Sequence, residues 1–202
     1  MKNRLLVQLP KHKNCICSIY NPNLFIVDWK NTNGGKVEIS GNKNNNINAV
    51  YLQNKKNIEL FFDGFPENAL PISKKSRCKQ CECVTFPFNC NEEEWVLFIE
   101  TKYAQNENAA RNSRFDYPCC MVKQIKETVK YFREKGIISD NKIVHAIISF
   151  PNLVDNFNSW VFPITQNDKE ESILDILIND KIIIRATNKA KIESDTELFL
   201  VS

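Results

Sequence analysis

Trp95-Val96-Leu97-Phe98-Ile99-Glu100-Thr101-Lys102 is an apolar run that closes on an acid, a threonine and a lysine. Trp95 to Tyr103 reads as a strand. Residues two apart on a strand point to the same face, so Glu100 and Lys102 share a side. The preceding stretch, Lys79 to Phe86 (Lys-Gln-Cys-Glu-Cys-Val-Thr-Phe), reads as a second strand. Pro87 to Glu94 between them carries proline, asparagines and an acidic cluster, the composition of a turn.

A turn centred near Asn91 places Glu82 opposite Glu100, with Lys102 on the same face. Facing side chains in an antiparallel pair have Cβ atoms roughly 5 Å apart, close enough for two carboxylates to share one cation. A one-residue slip would send Glu82 to the other face. Two carboxylates beside an ammonium make a site for a hard divalent cation, Mg2+ or Mn2+, and suit phosphodiester hydrolysis. The backbone carbonyl near Thr101 and waters would complete the shell.

The acid-x-Lys triplet occurs three times, at Asp28-Trp29-Lys30, Glu100-Thr101-Lys102 and Asp140-Asn141-Lys142. Asp28 also ends an apolar run, Leu24 to Val27, but residues 1–27 hold no Asp or Glu to serve as an upstream acid. Asp140 precedes the next apolar run, Ile143 to Phe150, and reads as a polar turn. Glu100 alone has the required setting.

On these residues the chain resembles the PD-(D/E)xK nuclease superfamily, restriction endonuclease-like and RecB-like nucleases, over roughly residues 57–150. Its members carry an acid at the start of one strand and acid-x-Lys at the end of the next. Helices pack around their central sheet, one directly after the second strand. The resemblance implies metal binding by Glu82 and Glu100 and a catalytic role for Lys102. The first motif departs from the pattern, since Glu82 stands for the usual aspartate and no Pro-Asp pair occurs. Asp63, closing Ile58 to Asp63, is the alternative first acid. The implied architecture is α/β: a central mixed sheet flanked by helices with a restriction endonuclease-like core at about 57–202, and a β-rich N-terminal part at about 1–56.

In that part Leu24 to Trp29, Lys36 to Ser40, Ala49 to Gln53 and Ile58 to Asp63 read as strands. Asn33-Gly34 is a hairpin-turn signal. Residues 104–117 read as a long polar loop with Arg111 and Arg114. Pro118 opens a helix that stops at Gly136, with Val122, Ile125, Val129 and Phe132 at helical spacing. Lys123, Lys126, Lys130 and Arg133 lie on its polar side. Arg111, Arg114, Lys123, Gln124 and Lys126 are the candidate nucleic-acid contacts, against the plainer reading of the helix as an ordinary solvated face. Gln124 and Tyr131 are similar, at a different spacing, to a glutamine–tyrosine motif of the RecB-like helix. Ile143 to Phe150 reads as a buried strand in parallel crossover with the first, its His145 as a hydrogen-bonded core residue. A helix near Lys169 to Asn179 and strands Ile182 to Ala186 and Leu198 to Val201 close the chain.

The 202 residues suffice for one buried α/β domain. No run approaches the ~20 apolar residues of a bilayer span, and the N-terminal apolar stretch is too short for a signal peptide. No membrane and a cytoplasmic location are therefore expected, with the eight cysteines as thiols. Cys78, Cys81, Cys83 and Cys90 form a C-x2-C-x-C-x6-C cluster that offers a zinc or iron–sulfur module as a further alternative. Cys81 and Cys83 alternate along the strand away from Glu82, which favours core thiols. His12 has no partner, and with two histidines, no G-x-S-x-G and no phosphate loop, Ser-His and P-loop mechanisms are poorly served. A net charge of +3 does not by itself imply nucleic acid. The resulting expectation is a divalent-metal nuclease acting on DNA in preference to RNA, with a restriction or phage-defence role. A homodimer or a defence-system partner subunit would accompany it. The contrasting expectation is a non-catalytic interaction subunit on the same fold.

Overall fold

The computed structural model describes residues 1–9, 16–29, 36–70, 80–112, 117–153, 157–162 and 172–201. Its eleven strands are β1 (Ile16–Ile19), β2 (Asn23–Asp28), β3 (Val37–Ser40), β4 (Val50–Gln53), β5 (Leu60–Gly64), β6 (Cys83–Pro87), β7 (Leu97–Thr101), β8 (Val144–Ser149), β9 (Ile182–Ala186), β10 (Lys189–Ile192) and β11 (Leu198–Val201). The helices are α1 (Lys2–Gln8), α2 (Glu107–Ala110), α3 (Tyr117–Glu134), α4 (Asn158–Val161) and α5 (Ile173–Asp180). Six strands form one mixed sheet in the order β1-β5-β6-β7-β8-β9, and five form a second in the order β11-β10-β4-β2-β3.

The larger sheet is buried on both faces, as its sequence demands: every residue of β5, β6 and β7 is buried. On one face Phe61, Val84, Phe86, Phe98 and Ile148 pack with Met121, Ile125, Val129 and Phe132 of α3. On the other, Leu60, Phe62, Leu97, Ile99 and Ile147 pack with Leu24, Ile26, Leu52 and Ile192 of the second sheet. The layers are therefore helix, sheet and sheet: the expected mixed sheet flanked by helices has a second sheet on its other face. The physical reason is that β2 and β4 have an apolar side (Leu24, Ile26, Val50, Leu52) that must be covered. The boundary near residue 56 does not separate the sheets: β1 joins the larger one, and β10 and β11 complete the smaller.

The crossover from β7 through α3 to β8 is parallel, with Phe98 beside Ala146 and Glu100 beside Ile148. Helix α3 ends as its glycine predicts. Gly136 has φ +62°, its N–H donates to Arg133 O at 2.8 Å, and Ile137 N–H donates to Phe132 O at 2.8 Å, the Schellman pattern. A capping box of Ser172 and Asp175 starts α5. The Asn33-Gly34 turn, His12, Cys15, Cys78 and Lys79 lie outside the described residues. Strands β1 and β10 and helices α1, α2 and α4 lack an equivalent in the sequence reading. Among the described residues no helix is long and apolar enough to cross a membrane.

His145 is a correction. Its Nδ1 is buried without a hydrogen-bond partner among the described residues, and burial, with the Lys142 ammonium nearby, pushes its pKa down to about 4. Unfolding restores a pKa near 6.5 and binds a proton. Stability is therefore expected to be lost as pH falls from about 6.5 toward 4. His145→Gln, compared by urea unfolding across that window, should show a shallower acid loss. A close approach of backbones gives a second expectation. A Cβ on Gly64 would stand 2.3 Å from Val37 O, where β5 meets β3. Gly64→Ala should cost about 1–3 kcal/mol in chemical unfolding, because the clash is with backbone.

Candidate active site at the β6–β7 sheet end

The β6–β7 ladder pairs Cys83 with Ile99, Val84 with Phe98 and Thr85 with Leu97, and Glu82 immediately precedes it. Both carboxylates converge on one nitrogen. Lys102 Nζ donates to Glu100 Oε1 at 2.5 Å and to Glu82 Oε1 at 3.4 Å. The Glu100 side chain has no exposure and that of Glu82 7%, whereas that of Lys102 is 24% exposed, so solvent reaches the group through the lysine.

Glu82 occupies a bend just before β6. Its N–H donates to Ile99 O at 3.0 Å and its carbonyl accepts from Phe65 N–H at 2.9 Å. Helix α3 holds the approach to that bend. Cys81 N–H donates to Thr128 Oγ1 at 2.9 Å, and Gln124 Nε2 donates to Gln80 O at 3.0 Å. The Gln80 side chain in turn accepts from Leu70 N–H at 2.7 Å and donates to Pro66 O at 2.5 Å. Four hydrogen bonds thus place the residues immediately upstream of Glu82. Ile99 turns its carbonyl toward β6, and the alternation of the ladder turns that of Thr101 the same way.

The bend also corrects the cysteine reading. Cys81 packs in the core beneath α3, while Cys83 packs between the sheets, so they do not share a face. Burial raises both thiol pKa values, and that of Cys90 rises to about 11 for the same first reason. These are core thiols, and among the described residues no three His, Cys, Asp or Glu side chains are grouped to hold a metal. Asp63 is buried in β5 opposite Val84, two strands from Glu100, a separation of about 10 Å. The sheet does not bring it to Lys102.

Other sequence candidates are dispersed. Lys126 ion-pairs with Asp180 at 2.8 Å. Two residues along a helix turn through roughly 200°, so Lys126 faces α5 when Gln124 faces the site. Lys123 is exposed on α3. Arg111 pairs with Glu107 at 3.1 Å and lies 4.8 Å from the Trp160 ring centroid. Arg114 lies outside the described residues. Tyr131 is buried, with Lys135 over its ring.

Asp28, set aside in the sequence, is brought back by the second sheet. Buried at the end of β2, it contributes to the field at Lys102, and its N–H donates to Tyr103 Oη at 3.2 Å. Like Glu100, it is an acid that closes an apolar run, and that signal was present in the chain. Burial works against the Lys102 charge, but Glu100 and then Glu82 outweigh it and hold the ammonium's pKa above its ordinary 10.5. The stabilisation from this group is therefore complete at neutral pH and is lost only as pH rises above the ordinary lysine range.

The Lys102 ammonium sits between two carboxylates, the donor type that Mg2+ or Mn2+ takes. Such ions take one or two carboxylates and keep several waters. This arrangement yields a test that does not depend on turnover. Lys102→Met removes the ammonium on which Glu82 and Glu100 converge, at a cost of about 3 kcal/mol. Millimolar Mg2+ or Mn2+ should raise the melting temperature of this variant more than that of the parent. An equal shift in both proteins would show that the carboxylates do not take the ion. No protein-family profile, curated protein or solved structure matches the chain.

Proposed function

We propose that the chain is a divalent-cation-dependent phosphodiesterase acting on nucleic acid, with DNA favoured. The observation that carries this reading is the convergence of Glu82 and Glu100 on Lys102 Nζ at the end of a mixed sheet, directly before a helix. The resemblance to the PD-(D/E)xK nucleases supports it and extends it to a restriction or phage-defence role. Fold alone would not support that extension.

Glu82 and Glu100 would hold the cation, with the Thr101 carbonyl on the same side of β7. When bound, Mg2+ or Mn2+ supplies Lewis-acid polarisation of the phosphate and activation of water. Lys102 stays charged near neutrality, so it donates hydrogen bonds and offsets charge that develops on the phosphate; it does not accept a proton. Its partial exposure lets it reach a phosphate while Glu100 anchors it from below. Gln124 and Thr128 keep Glu82 in place through residues 80 and 81.

Parent protein with Mg2+ or Mn2+ should cleave at least one member of a panel of single- and double-stranded DNA and RNA. Glu100→Gln and Lys102→Ala should each lower the rate by about 100-fold or more, while affinity measured in chelator changes little. A Lys102→Ala protein as active as the parent would remove the lysine from the mechanism. An inert parent across the whole panel would sink the hydrolytic reading and leave the non-catalytic interaction subunit in its place.

A further inference from the structure

The outer face of the second sheet carries aromatic rings at strand positions that face away from the core. Phe25 of β2 and Tyr51 of β4 are register partners, on the side opposite Leu24, Ile26 and Leu52. Their rings stack with centroids 5.3 Å apart and planes at 26°. Across β10, Lys189 brings its Nζ to 5.8 Å from the Tyr51 centroid. Two residues before Tyr51 the same face carries Ala49, whose small side chain leaves a cleft of about 360 Å3 beside the rings. That size lies within the range of small-ligand sites, about 300–1,000 Å3.

The lining is specific in its chemistry. Asn23 Oδ1 accepts from Tyr51 O–H at 2.6 Å, which leaves its Nδ2 to donate into the cleft. Asn48 Nδ2 donates to Asn152 Oδ1 at 3.2 Å, which leaves its Oδ1 to accept. Lys43 stands at the rim, and no carboxylate lines the cleft among the described residues. Stacking surface, one amide donor, one amide acceptor and a lysine suit a flat heterocycle with a hydrogen-bonding edge and an attached anion. One residue of the lining touches the segment that leaves the candidate site: Tyr103, which follows Lys102, donates its O–H to Asn48 O at 3.0 Å.

We infer that this cleft binds a nucleotide, its base against Phe25 and Tyr51 and its phosphate toward Lys43 and Lys189. The nucleotide is one unit of an unpaired strand whose backbone continues to Lys102. That continuation rests on the hydrolytic reading; binding in the cleft does not. Stacking on side chains requires a base free of its duplex partner, so the preferred substrate is single-stranded or frayed.

The test is fluorescence anisotropy of a labelled 15-mer of thymidylate in chelator, with the full chain and three variants whose folding is checked by circular dichroism. Tyr51→Ala removes a ring, Ala49→Leu fills the floor without removing any group, and Lys43→Glu reverses an exposed charge. Each should weaken binding about tenfold or more, and Lys43→Glu should also lower the log–log salt slope by about 1 or more. Competition by thymidine monophosphate separates the sources of the ligand. Full displacement at equal affinity per site means a free nucleotide is the ligand, and affinity that rises with oligomer length means a strand. Folded Ala49→Leu and Lys43→Glu proteins that bind the 15-mer and the mononucleotide as the parent does overturn the inference. Cleavage by the parent with unaltered binding by the cleft variants defeats the cleft alone. Cleft-dependent binding without cleavage defeats the hydrolytic reading alone.

Discussion

The Glu100 carboxylate is fully buried at the end of a central strand, with the Lys102 ammonium as its salt-bridge partner. An isolated buried carboxylate would either take up a proton or cost several kcal/mol. The Lys102 ammonium, two residues on and on the same face, meets that requirement, but it brings the problem of a half-buried lysine. Its charge is favoured in turn by Glu100 itself, by Glu82 in the bend before β6 and, less strongly, by Asp28 from the other sheet. Each charge is acceptable only because of the next. Lys102 is the most exposed of them.

This chain of dependence explains why the residues before β6 are fixed so firmly. Glu82 is not in the ladder but in a bend, where strand pairing alone would not hold its carboxylate near Lys102. Helix α3 supplies the missing constraint through Thr128 and Gln124, and the Gln80 side chain ties the same segment to Pro66 and Leu70. The buried face of α3 (Met121, Ile125, Val129, Phe132) thus acts at a distance on the geometry of the site. The packing that stabilises the domain and the positioning of Glu82 are the same contacts.

The second sheet serves the larger one in two ways. Its apolar side closes the face that helices leave open, through Leu24, Ile26, Leu52 and Ile192. The end of β2 also carries Asp28, and Tyr103 ties that end to the Asn48 carbonyl before β4. Tyr103, its pKa raised to about 12 chiefly by burial, remains a neutral donor and acceptor that joins the two sheets.

The sequence by itself determined the features that depend on local periodicity. Alternation along β7 was enough to put Glu100 and Lys102 on one side, because side-chain direction on a strand repeats every two residues, whereas the place of Glu82 depends on a bend that alternation does not predict. Helix α3 and its stop at Gly136 were equally legible, from apolar spacing and from the need for positive φ. Only the tertiary structure decided which layer covers which face, since an exposed apolar strand side can be satisfied by a helix or by another sheet. For the same reason β1 could not be assigned to β5, nor β10 to β4, from short segments far apart in the chain. Asp28 carried the same local signal as Glu100. Its electrostatic influence on Lys102 depends on the packing of one sheet on another, which no spacing within the chain encodes.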